Sequence, residues 1–187
     1  MKEIILASGS PRREELLSQA GVEFRKVISG CDEIEIAGES VSTMVERLAL
    51  EKAQAVAQLH PESLVIGADT TVYIDGAVLG KPDSEQAACS MLQLIQGRTH
   101  EVWGGIALVC QANKTQEVWS HMTRVTMVEM SESEIRRYVA TGEPMDKAGS
   151  YAIQGIGLQY VASIEGSYSN VVGLNVASLL PMIDAYR

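Results

Sequence analysis

Cysteine is scarce in this chain, positive charge is in deficit, and no apolar run approaches the length of a membrane span. The 187 residues hold three cysteines, Cys31, Cys89 and Cys110. They are far apart, odd in number and in no CxxC arrangement, which argues against a disulfide framework and a thiolate zinc site and fits a reducing compartment. Lys and Arg number 15 against 24 Asp and Glu, a net charge of −9. Bulk electrostatics therefore oppose binding to nucleic acid polymers or anionic membranes, and an anionic ligand must be held by a local cluster of cations. The apolar run in MKEIILASGSP is too short for a signal-peptide core, so a soluble, unexported, cytoplasmic protein is expected.

Familiar site motifs are missing as well. There is no GxxxxGK followed by Ser or Thr, and Gly155-Ile156-Gly157 lacks the rest of GxGxxG. His60, His100 and His121 show no HExxH or other ligand spacing, so an imidazole metal site is not expected. Ser8 and Ser10 lack a GxSxG setting. Thr71 stands two residues after Asp69, where an aspartyl-phosphate phosphatase would carry its second carboxylate. No internal repeat or low-complexity linker interrupts the chain. Hydrophobic residues make up 46% and charged residues 21%, which suits one domain over 1–187, either a single globule or two lobes sharing a core.

What is present is an alternation of strand and helix patterns. Ile4 to Ala7 reads as a buried strand, followed by a helix bearing Leu16, Leu17 and Ala20 that stops at Gly21, and by a strand near 23–29. Val41 to Leu59 is the strongest helical pattern, with Val41, Met44, Val45, Leu48, Ala55, Val56 and Leu59 on one stripe. Leu64 to Ala68 is expected as a short strand ending at Asp69, and Val72–Ile74 with Ala77–Leu79 flank an Asp75-Gly76 hairpin turn. Asp83 with Gln86 is expected to cap a helix carrying Ala87, Met91, Leu94 and Ile95. Strands over 101–110 and 117–128 form a second hairpin pattern, and Ser131 with Glu134 spells a capping box. The stretch 143–157, rich in glycine and without period, reads as a functional loop. A strand near 158–164 and a helix from about Val176 complete an α/β fold with a mixed sheet.

The densest chemical signal is Ser8-Gly9-Ser10-Pro11-Arg12-Arg13, between the first strand and the first helix. Ser10 and Pro11 suit the N-cap and first helical position, which leaves backbone N–H groups pointing outward. Two arginines there oppose the helix dipole unless an anion such as phosphate lies between them. Asp69, at the carboxyl end of a buried strand, is a candidate acid or base, with a local turn role as the plain alternative. Stepping outward from the Asp75-Gly76 turn sets Thr70 opposite Lys81 and leaves Asp69 beside it. Lys52 interrupts the apolar stripe, so its ammonium must either snorkel to water or meet an anion. Glu33, in the stretch Cys31 to Glu35, reads from spacing alone as part of a solvated acidic loop.

Taken together, SGSPRREELL, Asp32-Glu33, RLALEKA around Lys52, VIGADT, LGKP around Lys81 and GEPMDKAGSYAIQG resemble the Maf-like nucleoside triphosphate pyrophosphatases, in order and over nearly the whole chain. The resemblance implies an elongated mixed twisted sheet flanked by helices, two lobes around a cleft, similar to inosine triphosphate pyrophosphatases. It implies cleavage between the α- and β-phosphates with a divalent metal ion, Mg or Mn, and a homodimeric enzyme. Arg12, Thr70 and Gln154 look like the specificity residues of the subgroup acting on dTTP and UTP rather than on 7-methylguanosine triphosphate. By the same resemblance Asp69 is the catalytic proton acceptor, Ser8, Arg13, Lys52 and Lys81 bind substrate, and Glu33 with Asp69 ligates the metal. A nucleotide-binding regulator of septum formation is the alternative, needing the cations but not Asp69.

Overall fold

The strand and helix patterns resolve into a mixed sheet with helices packed on it. The computed structural model describes residues 2–34 and 36–186, so Glu35 of the acidic stretch lies outside the described residues. In chain order the elements are β1 (Ile4–Leu6), α1 (Pro11–Gln19), β2 (Arg25–Lys26), α2 (Val41–Leu59), β3 (Leu64–Ile74), β4 (Ala77–Leu79), α3 (Glu85–Ile95), β5 (Thr99–Cys110), β6 (Thr115–Met127), α4 (Glu132–Val139), β7 (Val161–Glu165), α5 (Tyr168–Val172) and α6 (Val176–Asp184). Seven strands run in the order β2-β1-β3-β5-β6-β7, with β4 paired to β3. β1 is parallel to both β2 and β3, whereas β3–β4 and β6–β7 are antiparallel, which is the mixed sheet expected. Among the described residues no helix is long and apolar enough to cross a membrane.

Several local expectations change. The strand expected to end at Asp69 continues without a break from Leu64 to Ile74, because Thr70 and Thr71 are themselves good strand residues. Asp69 therefore lies within a strand and not at its end. The β3–β4 hairpin pairs Ile74 with Ala77, Tyr73 with Val78 and Val72 with Leu79. Asp75 and Gly76 have φ of 51° and 83°, as a two-residue turn with both centres left-handed requires. The pairing stops there. Lys81 falls outside the ladder, and the Gly80 carbonyl instead accepts from the Gly149 N–H at 3.1 Å.

Ser84, not Asp83, caps α3, because its extended backbone lets its hydroxyl accept from the Ala87 N–H at 3.2 Å. Leu59 is 74% exposed, and the buried face of α2 comprises Met44, Val45, Leu48, Ala49, Lys52, Ala53, Val56 and Ala57. In its last turn Val56 and Ala57 are packed, and only the end at Leu59 leaves the buried face. β7 begins at Val161 because Gly155–Tyr160 forms a 3₁₀ turn first.

The chain forms two compact units. The first comprises Met1–Thr70, Gly104–His121 and Gly173–Arg187; the second comprises Thr71–Trp103 and Met122–Val172. In the first, Ile5, Ala7, Val65, Ala107 and Val109 pack on Ala49, Ala53, Val56 and Ala57 of α2. In the second, Val72, Ile74, Val102 and Val125 pack with Leu92, Ile95, Ile135 and Tyr138.

α2 lies very close to its strands. A Cβ on Gly67 would overlap the Ala49 carbonyl oxygen, and one on Gly105 the Val45 carbonyl oxygen. Both obstacles are helix backbone, which cannot swing aside. Gly105→Ala is accordingly expected to lower the unfolding free energy by about 2–3 kcal/mol, as overpacking does. Urea denaturation checks this, and an unchanged midpoint would contradict the close approach.

Candidate active site

Alternation along β3 decides where Asp69 points. Val65 belongs to the cluster against α2, and Gly67 meets Ala49 and Ala53 of that helix. Two residues further, on the same face, Asp69 must also meet α2. The helix presents Lys52 there. Its ammonium donates to Asp69 Oδ1 at 2.6 Å and to Glu33 Oε1 at 2.6 Å. Lys52 and Asp69 side chains are only 8% and 7% exposed, whereas Glu33 is 52% exposed. Snorkelling is thus ruled out for Lys52: it meets anions, and they are the protein's own carboxylates. Glu33 is not merely a solvated acidic residue, since it completes a bridge to a buried ammonium.

The SGSPRR turn is organised by Arg13. Pro11 occupies the first turn of α1 and Ser10 supplies no side-chain cap. Instead the Ser10 N–H donates to Ser8 Oγ at 3.2 Å. Arg13 Nε donates to the Gly173 carbonyl at 2.8 Å, one terminal nitrogen to Ser8 Oγ at 3.1 Å, and the other to Thr70 Oγ1 at 3.1 Å. Thr70 in turn donates to the Gly173 carbonyl at 3.2 Å. A guanidinium carries five N–H donors, so these three bonds fix its plane and leave one donor on each terminal nitrogen for an anion. Burial pulls the Arg13 pKa down from its ordinary value, opposed by the charges of Asp69 and Glu33 and reinforced by that of Arg12. The group stays cationic. Arg12, the next residue toward the helix start, is half-buried.

Ser8, Arg12, Arg13, Glu33, Lys52, Asp69 and Thr70 all belong to the first unit, and the structure joins Ser8, Arg13 and Thr70 in one network and Glu33, Lys52 and Asp69 in another. Lys81 and Gln154 belong to the second unit, where Lys81 is exposed and Gln154 half-buried. The stretch expected as a functional loop is pinned by Glu143, whose carboxylate accepts from Tyr138 Oη, the Ile156 N–H and the Gly157 N–H, each at 2.8 Å. Burial pushes the Glu143 carboxyl up, but these three donors, with Lys147 nearby, outweigh it and hold the pKa below its ordinary value.

As for a metal, Asp69 and Glu33 supply two carboxylates that share one ammonium, and among the described residues no group of three His, Cys, Asp or Glu could hold an ion. That donor set fits magnesium or manganese, which take one or two carboxylates and fill the rest of the shell with water and substrate phosphate. Sequence reasoning did not find Gly173, whose carbonyl anchors both Arg13 and Thr70. A backbone acceptor 160 residues from its donor leaves no pattern, apart from a glycine shortly before the last helix.

The first unit thus combines a buried carboxylate–ammonium bridge with a separately braced arginine turn on a mixed α/β sheet. Residues 3–186 match the Maf-like protein family, and the chain belongs to it. The dTTP/UTP pyrophosphatase of Pelotomaculum thermopropionicum is 49% identical over 186 residues, covering 100% of this chain and 97% of that protein. The dTTP/UTP pyrophosphatase of Bacillus cytotoxicus is 51% identical over 180 residues, covering 96% and 93%. Among solved structures, the Staphylococcus aureus Ham1 protein is 14% identical with a TM-score of 0.57 over 100% of both chains, a likeness of fold.

Two outcomes follow from the geometry. Lys52→Met strands a buried carboxylate and should cost about 3–5 kcal/mol, whereas Glu33→Gln, on a half-exposed group, should cost under about 1 kcal/mol; equal losses in urea denaturation would contradict the bridge as described. Because the folded pKa of Glu143 lies below the ordinary 4.5, its bonds stabilise the fold above that pH and are lost as pH falls through the folded value. Glu143→Gln should therefore lower the urea midpoint at neutral pH, and the gap to wild type should narrow in acid. A gap independent of pH would contradict this.

Proposed function

We propose that the chain hydrolyses dTTP and UTP to the nucleoside monophosphate and pyrophosphate. The observation that carries this reading is the buried Asp69–Lys52 contact in the same unit as an arginine turn whose geometry suits phosphate. The names of relatives about half identical over nearly the whole chain support the same substrates.

Lys52 engages Asp69 Oδ1 and so fixes the carboxylate, leaving Oδ2 to take the proton of an attacking water. The water oxygen bonds to the α-phosphorus as the bond from that phosphorus to the bridging oxygen breaks, and pyrophosphate leaves with the bonding electrons. Arg13, braced by Ser8, Thr70 and Gly173, presents its two remaining donors to phosphate oxygens and stabilises charge that grows on them. Glu33 and Asp69 would be the oxygen donors for magnesium or manganese, which would supply Lewis-acid neutralisation of phosphate charge. Lys81 is assigned to triphosphate binding, and Arg12, Thr70 and Gln154 to base selection, on the family resemblance alone. The Thr70 hydroxyl gives its one proton to Gly173 and accepts from Arg13, so toward a base it offers only its remaining lone pair. A cytoplasmic homodimer belongs to the same proposal.

Asp69→Asn is expected to reduce monophosphate formation from dTTP by about 10²–10⁴-fold while the dissociation constant for dTTP, measured by calorimetry, changes by less than about threefold. An undiminished rate would show that Asp69 is not the base. With wild-type protein, dTTP and UTP should outrank CTP and 7-methylguanosine triphosphate; binding without turnover of any of the four would favour the regulator.

A further inference from the structure

The motif RLALEKA opens with Arg47, a residue to which the proposed chemistry gives no task. Glu33 sits on the connection between β2 and α2, in backbone that is neither strand nor helix, and its side chain is half-exposed. A carboxylate in such a place is better kept within 2.6 Å of Lys52 when the connection itself is held. Arg47 holds it. One terminal nitrogen of its guanidinium donates to the carbonyl of Ile34, the residue next to Glu33, at 2.9 Å. Nε and that same nitrogen grip the two carboxylate oxygens of Glu39 at 2.9 and 2.7 Å. The other terminal nitrogen reaches Glu51, one turn along α2 and adjacent to Lys52, at 3.2 Å. The fork is largely shielded, with Arg47 21% and Glu39 10% exposed, so it is more than a loose surface pair.

We propose that Arg47 is a positioning residue for Glu33: by gripping Ile34 and Glu39 from the helix that also carries Lys52, it sets where the Glu33 carboxylate meets the ammonium. This rests on the pyrophosphatase reading above. Among the described residues Arg47 bonds to Ile34, Glu39 and Glu51 and not to Lys52, Asp69 or the Glu33 side chain, so its effect on turnover passes through Glu33.

A double-mutant cycle tests it. In folded Arg47→Met protein, kcat for dTTP should fall on the order of a hundredfold, the scale of a misplaced catalytic group, with KM within about threefold. In a Glu33→Gln background the same substitution should change kcat by less than about twofold, since the residue it serves is gone. Arg47→Lys keeps the charge but not the planar fork, and should not rescue. Where Arg47→Met does not fold, Glu39→Gln, which leaves the bond to Ile34 in place, should give a smaller loss that likewise disappears in the Glu33→Gln background. Equal losses in both backgrounds, or an unchanged kcat in folded Arg47→Met protein, would overturn the positioning role and leave the pyrophosphatase reading intact. Wild-type protein that releases orthophosphate first, or turns over no triphosphate, would overturn that reading and this proposal together.

Discussion

The ammonium of Lys52, nearly sealed from water and shared between Asp69 and Glu33, is the contact to which the rest of the first unit is fitted. Removing a lysine and an aspartate from water is costly, and their attraction offsets that cost only when the geometry is tight. Both donor distances are 2.6 Å. Such closeness demands that α2 lie almost on the sheet, and the helix achieves it with Ala49, Ala53 and Ala57 facing strands that offer Gly67 and Gly105. Larger side chains at these positions would bury more apolar surface but lift Lys52 away from Asp69. The packing of this unit is therefore set as much by one ion pair as by hydrophobic area.

The same economy appears in the arginine turn. A chain with net charge −9 repels anions at long range, so its few cations must be held in place and kept charged where they are needed. Arg13 is fixed by three neutral acceptors, namely a serine, a threonine and a carbonyl, and not by a carboxylate that would cancel its charge. Lys52 is treated in the opposite way, neutralised by two carboxylates. One cation keeps donors that no carboxylate cancels, while the other is tied to a buried carboxylate, the pairing on which the proposed division of phosphate binding and proton transfer rests. The division follows from the partners each side chain is given.

Features with local causes were legible in the sequence. The bounds of α2 follow from its apolar period, the Ser131–Glu134 box from residues three apart, and the β3–β4 turn from the left-handed tolerance of Asp75-Gly76. The family resemblance proposes site residues but says nothing of their contacts. Lys52 had two physically acceptable outcomes, and the choice depends on carboxylates 17 and 19 residues away. Asp69 looked like a strand end because Thr70-Thr71 separates two apolar runs, yet the strand simply passes from one unit into the next. Glu143 and Gly173 escaped notice for a related reason: what they do lies in backbone groups brought near by the fold, and no side-chain pattern encodes that.

The most direct measurement is phosphorus NMR of the products formed from dTTP by wild-type protein with magnesium, followed from the earliest turnovers. Cleavage at the α–β anhydride predicts thymidine monophosphate and pyrophosphate appearing together in equal amounts, without orthophosphate. Orthophosphate accompanied by thymidine diphosphate would contradict it, because the β–γ anhydride would then be the bond broken.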